Sequence, residues 1–467
     1  MAPTSPIEPD RQRRDAAAEY LLNRVNYERM PRIPYSTRHF KLDRMRELLH
    51  RLGAPQQGMP VVHVTGTKGK GSTATMIAAI LTDAGYRTGL FTSPHFERIE
   101  ERFSIDGRLC SGEELAALVE TVKPAVEAMD QRAVDPANPD ENRPTYFEII
   151  TAMAFEHFSR QSVDVAVLEV GLGGRLDSTN VAQSIVSVIT SISLDHTAQL
   201  GNDLESIAAE KAGIVRPGVP VVSGVTQPEP REVIRQTARR LGATLVEAGV
   251  DFETVDSIAA EDAEDNETAA DSFDYRRGGT TQLHNLHLAM PGRHQRANAA
   301  VALAAIDELR KIGWNVPETA VRSGLARAHC PGRAEVLDTR PIVVFDVAHN
   351  RASVEALVEV LNERFSGRKK WAIFAAGQDK DLRGMIDVLT AAFDEIVFTR
   401  YLDNPRAAPA QSLADLAHEL TGQTHTMCPT PAESWAWAAE HAKPDDLVCI
   451  TGSFFLVSEI RRQISFD

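Results

Sequence analysis

The chain has 467 residues, 43% of them apolar and 25% charged, so it can bury two or three domain-sized cores and is not a disordered chain. Its 50 Lys and Arg against 65 Asp and Glu leave a net charge of −15, which argues against a surface that coats nucleic acid. Cys110, Cys330, Cys428 and Cys449 stand far apart with no CxxC pair, which points to reduced thiols rather than a disulfide framework or a zinc site.

The N-terminal string MAPTSPIEPDRQRRD has no apolar stretch after its charges, so no signal peptide is expected and residues 1–14 read as a polar, disordered tail. No run approaches the roughly 18 apolar residues of a membrane span. A soluble, cytoplasmic protein is expected. Helical spacing follows around 15–28 and 38–52, ending at Gly53. VVHVTG (61–66) is a β-branched run that stops at glycine, and STATMIAAILTDAG (72–85) is helical in spacing. Strand, glycine loop and helix begin a βαβ unit. VDVAVLEV (163–170) and SIVSVITSIS (184–193) are further buried-strand candidates.

DQRAVDPANPDENRP (130–144) reads as a surface loop, and the acidic stretch within 251–280 as a solvated insertion. Near HCPGR (329–333) the chain starts again, with IVVFDV (342–347), WAIFAAG (371–377), EIVFTR (395–400) and LVCITG (447–452) as strands. The expected fold is α/β: a mostly parallel, P-loop-type sheet over 15–328, then a smaller α/β domain over 329–467.

GTKGKGST (66–73) follows a strand and opens a helix. Glycines let successive backbone N–H groups face one anion, and the helix N-terminus adds its positive end. Gly66, Thr67, Lys68, Gly69, Lys70, Gly71, Ser72 and Thr73 are therefore candidate ATP-phosphate ligands. The match to G-x-x-x-x-G-K-[ST] is imperfect, because Val64 replaces the first glycine and Gly71 separates Lys70 from Ser72.

Three candidate metal ligands fall at the ends of successive strands: Ser93 in TSPH, Glu169 in LEVGLGGRLDSTN, and His196 in LDH. A hydroxyl, a carboxylate and an imidazole there would suit a Mg²⁺ that also holds nucleotide phosphates. Each has a plainer role open to it: Ser93 as a turn start before Pro94, Glu169 as a partner of Arg175, His196 as a structural group. Further on, His294, Asn298, Arg333, Asp346 and His349 are candidates to close over the nucleotide, with Asn350 a candidate helix cap. Lys211 lies near the end of a helix read as running from an Asn202 cap to Gly213, where a lysine also suits the helix dipole.

Eleven strings in order, HVTGTKGKGST, FTSPH, YFEIITAMAF, EVGLGGRLDSTN, SLDHTAQLG, EKAGI, GRHQRANAAVA, PGRAEV, FDVAHN, DKD and ITGSFFLV, resemble the folylpolyglutamate synthase/dihydrofolate synthase family of the Mur ligase superfamily. The resemblance implies an ATP- and Mg²⁺-dependent ligase that joins a pterin-bearing carboxylate to the amine of L-glutamate. It implies catalytic roles for Lys70, His196 and Lys211, with Lys211 carboxylated. Magnesium would fall to Ser93, Glu169 and His196, and further nucleotide contacts to Asn298, Arg333 and Asp346. Substrate contacts would fall to Ser93, Pro94, His95, Arg98 and His349. His95, Arg98 and Arg102 in TSPHFERIEERF favour a bifunctional enzyme, with chain extension alone as the alternative.

A P-loop kinase leaves the second domain unexplained. A cell-wall peptide ligase would need a nucleotide-sugar domain where only about 60 residues stand before the loop. A non-enzymatic nucleotide-binding regulator leaves the spread of ligands unused. Small-molecule partners, no nucleic acid, no membrane and a monomer are expected.

Overall fold

The computed structural model describes residues 7–28, 42–132, 143–195, 197–257, 272–337 and 339–464. Contacts divide the chain into two compact units. One runs from the N-terminus through the 250s and adds Ser272–His287 and Ala297–Ala328; the other holds Leu288–Arg296 and the chain from His329. Leu288–Arg296, expected in the first domain, thus groups with the second unit.

The first unit is built on eight strands: β1 (Val61–Thr65), β2 (Thr88–Phe91), β3 (Phe103–Ile105), β4 (Arg108–Leu109), β5 (Val165–Glu169), β6 (Ser184–Ile189), β7 (Val221–Ser223) and β8 (Leu245–Glu247). Their order is β4-β3-β2-β5-β1-β6-β7-β8, parallel from β2 through β8 and antiparallel only at β3 and β4. Every residue of β1 and β5 is buried. That is why these strands read as unbroken apolar runs rather than alternating ones. Register aligns Phe91 with Leu168, Val64 with Glu169 and Thr65 with Ile189, so these strands end level with one another. The phosphate-loop candidates and Glu169 therefore share the carboxyl edge of the sheet, where parallel sheets bind ligands.

Several expectations are corrected. The helix Ile7–Leu22 begins inside the supposed tail; Ala17 and Leu21 are buried, and Arg14 donates to Glu100 at 2.8 Å. The second helix is Leu42–Arg51, and residues 38–41 lie outside the described residues. The helix Gly112–Arg132 runs into the stretch read as a loop; residues 133–142 are likewise outside. The strand expected to reach 193 stops at Ile189, because the next residues turn to bond the phosphate loop. The ends of 251–280 are not a solvated insertion. Phe273–Arg277 (β10) pairs antiparallel with Phe252–Asp256 (β9) on one side and with Thr280–Leu286 (β11) on the other. Buried Phe252, Phe273 and Tyr275 give them an inner face that acidic composition had masked.

The second unit carries six strands: β12 (Glu335–Leu337), β13 (Ile342–Phe345), β14 (Lys370–Phe374), β15 (Glu395–Phe398), β16 (Thr426–Met427) and β17 (Leu447–Thr451), in the order β12-β13-β17-β14-β15-β16. Phe374, Phe398, Leu357 and Leu389 are among the side chains of its core. No helix among the described residues is long and apolar enough to cross a membrane.

Asp256 faces Phe273 across the β9–β10 pair, and Ser257 Oγ donates to Asp274 at 2.6 Å. Pairing thus closes immediately outside residues 258–271. Replacing those residues with a short Asn-Gly turn should leave the melting temperature within a few degrees of the parent. A large drop on thermal unfolding would assign that segment a part in the core.

Candidate active site

The loop after β1 takes its shape from the residues that follow β6. Thr67 N donates to Ser191 O at 2.7 Å, and Lys68 N to Ser191 Oγ at 3.1 Å. The hydroxyls of Thr190 and Ser191 both donate to Lys68 O, at 2.6 and 3.1 Å. Thr67 Oγ1 bonds Ser193 O at 3.2 Å. Gly69, at φ 81, is the N-cap of the helix Lys70–Asp83. A side chain there would also strike the Asn298 amide. Asn298 therefore lies against the loop, where it was expected to meet nucleotide. Among the described residues, the buried Thr73 hydroxyl and Ser193 Oγ have no hydrogen-bond partner. Two unsatisfied donors beside a helix N-terminus fit an oxygen-rich ligand such as a metal-bound phosphate.

Two amines converge on one carbonyl of this loop. Lys70 Nζ donates to Gly66 O at 3.1 Å and Thr67 O at 3.4 Å. Lys211 Nζ donates to the same Gly66 O at 2.8 Å. Lys211 is 4% exposed. Burial, and then the charge of Lys70, push its ammonium down to about 7, so a large share is neutral amine at physiological pH. Its helix, Leu204–Ala212, is capped by Asp203, whose carboxylate accepts from Ser206 N at 2.7 Å, and not by Asn202. Gly213 sits at φ −63; the backbone is ordinary there, and glycine is needed because Arg175 packs against it.

Ser93 N donates to Glu169 Oε2 at 3.1 Å, which brings two of the three metal-ligand candidates together. Arg175 does not pair with Glu169; it forks onto Glu210 at 2.7 Å. His196 lies outside the described residues. Among the described residues no three His, Cys, Asp or Glu side chains form a metal cluster. The set on the page is one carboxylate, one serine and loop hydroxyls, a hard oxygen set that fits Mg²⁺ when phosphates complete it.

The segment after Ser93 is held from the turn Ile99–Arg102. Glu101 accepts from the backbone N–H groups of Phe96, Glu97 and Arg98 at 2.6, 2.9 and 2.9 Å. Arg102 Nε donates to His95 Nδ1 at 2.8 Å. Pro94 and Arg98 are exposed.

The second unit holds its own set. Asp346 is buried and accepts from Ala334 N and Ala348 N, both at 2.8 Å. Burial raises its carboxyl pKa, and Arg333 opposes this. His294 is pushed down to about 4 by burial and by Arg333. His349 Nδ1 bonds Val347 O at 2.9 Å. Asn350 caps the helix Arg351–Arg364 through Ser353 N at 3.0 Å, as expected.

Sequence reasoning missed Thr190, Ser191 and Glu101. The hydroxyl pair after β6 carried a signal, since SLDH follows a strand end beside the loop strand. Glu101 carried none.

A glycine loop with a lysine on a helix N-terminus, at the carboxyl edge of a parallel sheet and followed by a second α/β unit, defines a Mur-type ligase. Two family models match: the Mur ligase middle domain at residues 64–306 and the Mur ligase glutamate ligase domain at 332–454. The dihydrofolate synthase/folylpolyglutamate synthase of Bacillus subtilis is 38% identical over 91% of this chain and 94% of its own. That of Escherichia coli is 36% identical over 91% of each. Among solved structures, Mycobacterium tuberculosis folylpolyglutamate synthase complexed with ADP superposes with a TM-score of 0.85 at 31% identity, over 98% of this chain and 99% of that one. Escherichia coli FolC in complex with DHPP and ADP gives 0.79 at 32% identity, over 96% and 97%. The chain belongs to the folylpolyglutamate synthase/dihydrofolate synthase family and is an ATP-dependent, ADP-forming amide ligase.

Gly69→Ala should cost roughly 1–2 kcal/mol in loop strain and displace Asn298. ATP affinity, read by calorimetry, should fall at least tenfold while the melting temperature moves little. Lys70→Ala should lower turnover by about 10²–10³; turnover within a few-fold of the parent would remove Lys70 from the phosphate site.

Proposed function

We propose that this chain is a bifunctional, cytoplasmic and monomeric enzyme that joins L-glutamate to both dihydropteroate and reduced folates. Its ATP-binding domain would span 15–328 and its glutamate-ligase domain 329–467. The observation that carries the ligase reading is the convergence of Lys70 and Lys211 on Gly66 beside the Ser93–Glu169 pair. Bifunctionality rests on the full-length likeness to relatives that bear both activities in their names.

A free carboxylate does not acylate an amine, because oxide would have to leave. In the proposed route a carboxylate oxygen attacks the γ-phosphorus of ATP, the β–γ bridging bond breaks, and ADP departs. The neutral nitrogen of glutamate then attacks the acyl carbon. Phosphate leaves with the former carboxylate oxygen, and the nitrogen sheds a proton. Lys70 and the N–H groups at the start of its helix hold the transferring phosphoryl group, the Thr67 and Lys68 N–H groups being bonded to Ser191, with Asn298, Arg333 and Asp346 as further nucleotide contacts. Ser93, Glu169 and His196 are the residues we assign to Mg²⁺, which when bound neutralises phosphate charge. Ser93, Pro94, His95, Arg98 and His349 are assigned to the substrates.

Lys211 we assign as carboxylated in the working enzyme. A buried, partly neutral amine beside a second cation is reactive toward CO₂, and the resulting carbamate replaces a repelled ammonium with an anion. The neutral fraction, and hence carboxylation, grows as pH rises through about 7. Intact-mass and crystallographic measurements under bicarbonate should show the added group. Lys211→Ala should lose most turnover, with partial rescue by acetate, and full activity in that variant would refute the assignment.

ADP release should require glutamate with dihydropteroate and with tetrahydrofolate alike. Labelled oxygen from the substrate carboxylate should appear in phosphate. ADP release independent of glutamate would indicate a kinase or hydrolase instead. Turnover with tetrahydrofolate alone would leave chain extension as the activity.

A further inference from the structure

Near the start of the second unit, a tight turn is held by two buried carboxylates. Gly332 N donates to Glu335 Oε2 at 2.9 Å, and Ala334 N to Asp346 Oδ2 at 2.8 Å. Val347 N closes the turn by donating to Gly332 O at 3.0 Å. Gly332 sits at φ 66 and Ala334 at φ 46, and a left-handed alanine persists only where its surroundings fix it. Between them stands Arg333, half-buried. Among the described residues its guanidinium makes no hydrogen bond or ion pair; it acts on Asp346 and His294 only through its charge.

Glu335 is itself gripped from the far end of the chain. It opens β12, where it faces Phe345 of β13. Arg461, the last residue of the helix Phe454–Arg461, donates to Glu335 Oε2 and lies over the Phe345 ring, 5.9 Å from its centroid. His329 Nε2 stands 3.7 Å from the other carboxylate oxygen. Burial opposes the charge on Glu335, but His329, Arg461 and the Gly332 N–H together bring its carboxyl down to about 2. Oε2 thus accepts from Arg461 and from Gly332 N at once. A helix that lies 126 positions further along is fixed to the Arg333 turn through a single atom.

We propose that Glu335 and Arg461 are positioning residues for nucleotide binding: their ion pair sets the turn 332–334, and with it the reach of the unpaired Arg333 guanidinium toward an anionic oxygen of ATP. This rests on the assignment of Arg333 to nucleotide made above. Glu335 and Arg461 act through Arg333 and are given no contact with ATP. Loss of the pair should weaken ATP binding roughly 10- to 100-fold. The KM values for tetrahydrofolate and glutamate should stay close to those of the parent.

Calorimetry with ATP and steady-state kinetics on the full chain test this. Arg461→Met keeps an apolar stem over Phe345 without the charge, and Arg461→Lys restores a charge. Glu335→Gln keeps an oxygen for Gly332 N but ends the ion pair. Arg461→Met and Glu335→Gln should raise the Kd and KM for ATP, and Arg461→Lys should recover most of that loss. Neither of the first two should add to the effect of Arg333→Ala. A cost undiminished in the Arg333→Ala background, or KM values for ATP and tetrahydrofolate that rise together, would make the pair merely structural and overturn the proposal. Should Glu335→Gln fail to fold, the two Arg461 variants carry the same comparison. A crystal structure of Arg461→Met should show residues 332–334 displaced with β13 and β17 in place, and an unmoved turn would overturn the proposal without kinetics. Unchanged ATP affinity in Arg333→Ala would instead remove the assignment of Arg333, and the proposal with it. Failure of the ligase reading shows separately, as parent enzyme that releases ADP without glutamate.

Discussion

The parallel pairing of β1 with β6 is the constraint on which the rest of the site depends. It sets Thr65 level with Ile189, so the chains leaving the two strands run side by side. One is a glycine-rich loop, and the other is rich in hydroxyls. Thr190 and Ser191 take up Lys68 O, and Ser191 takes up the N–H groups of Thr67 and Lys68. A flexible loop thereby becomes a fixed cradle, and no loop carbonyl need turn toward the anion. Pre-organisation of this kind is what lets dipoles stabilise transferring charge without rearranging as it moves.

Charge is buried around the cradle in two different ways. Arg44 with Glu148, at 2.8 Å and 5% exposure on each side, and Arg102 with Glu28 are compensated pairs. Removing one partner would strand the other, which is the costly case. Lys211 is treated differently: burial and then the charge of Lys70 outweigh the pull of Asp195 and Asp177, so its ammonium yields its proton more readily. Arg44 and Arg102 each hold a carboxylate directly, whereas Lys211, just as buried, donates to the Gly66 carbonyl.

What could be read from the sequence was local. The strand, glycine loop and helix lie within 25 consecutive residues, Val61–Ala84 and Gly85, and each step has its own residue signature. β1, β5, β6, β13, β14, β15 and β17 were legible because burial on both faces forces unbroken apolar runs. β3, β4, β7, β8, β12 and β16 have two or three residues each, too few to show a period. The bond from Arg102 to Glu28 spans 74 positions, and that from Thr190 to Lys68 spans 122. Nothing in spacing encodes such contacts. Asp203 was passed over for Asn202 because both are good caps and only backbone geometry chooses between them.

Those shortest strands have a colloidal consequence. The outermost positions of both large sheets are filled by β4, β8, β12 and β16 alone. The Val- and Ile-rich strands of these two sheets, which would most readily recruit a matching strand from another molecule, are therefore at least one place removed from the sheet edge. The edges themselves offer little: Arg108 and Leu109 are exposed but form only a two-residue ladder, and Glu247 on β8 is engaged by Arg231 and Arg235. The two large sheets thus keep their Val- and Ile-rich strands out of reach of other copies by ending each in stubs too short to template growth.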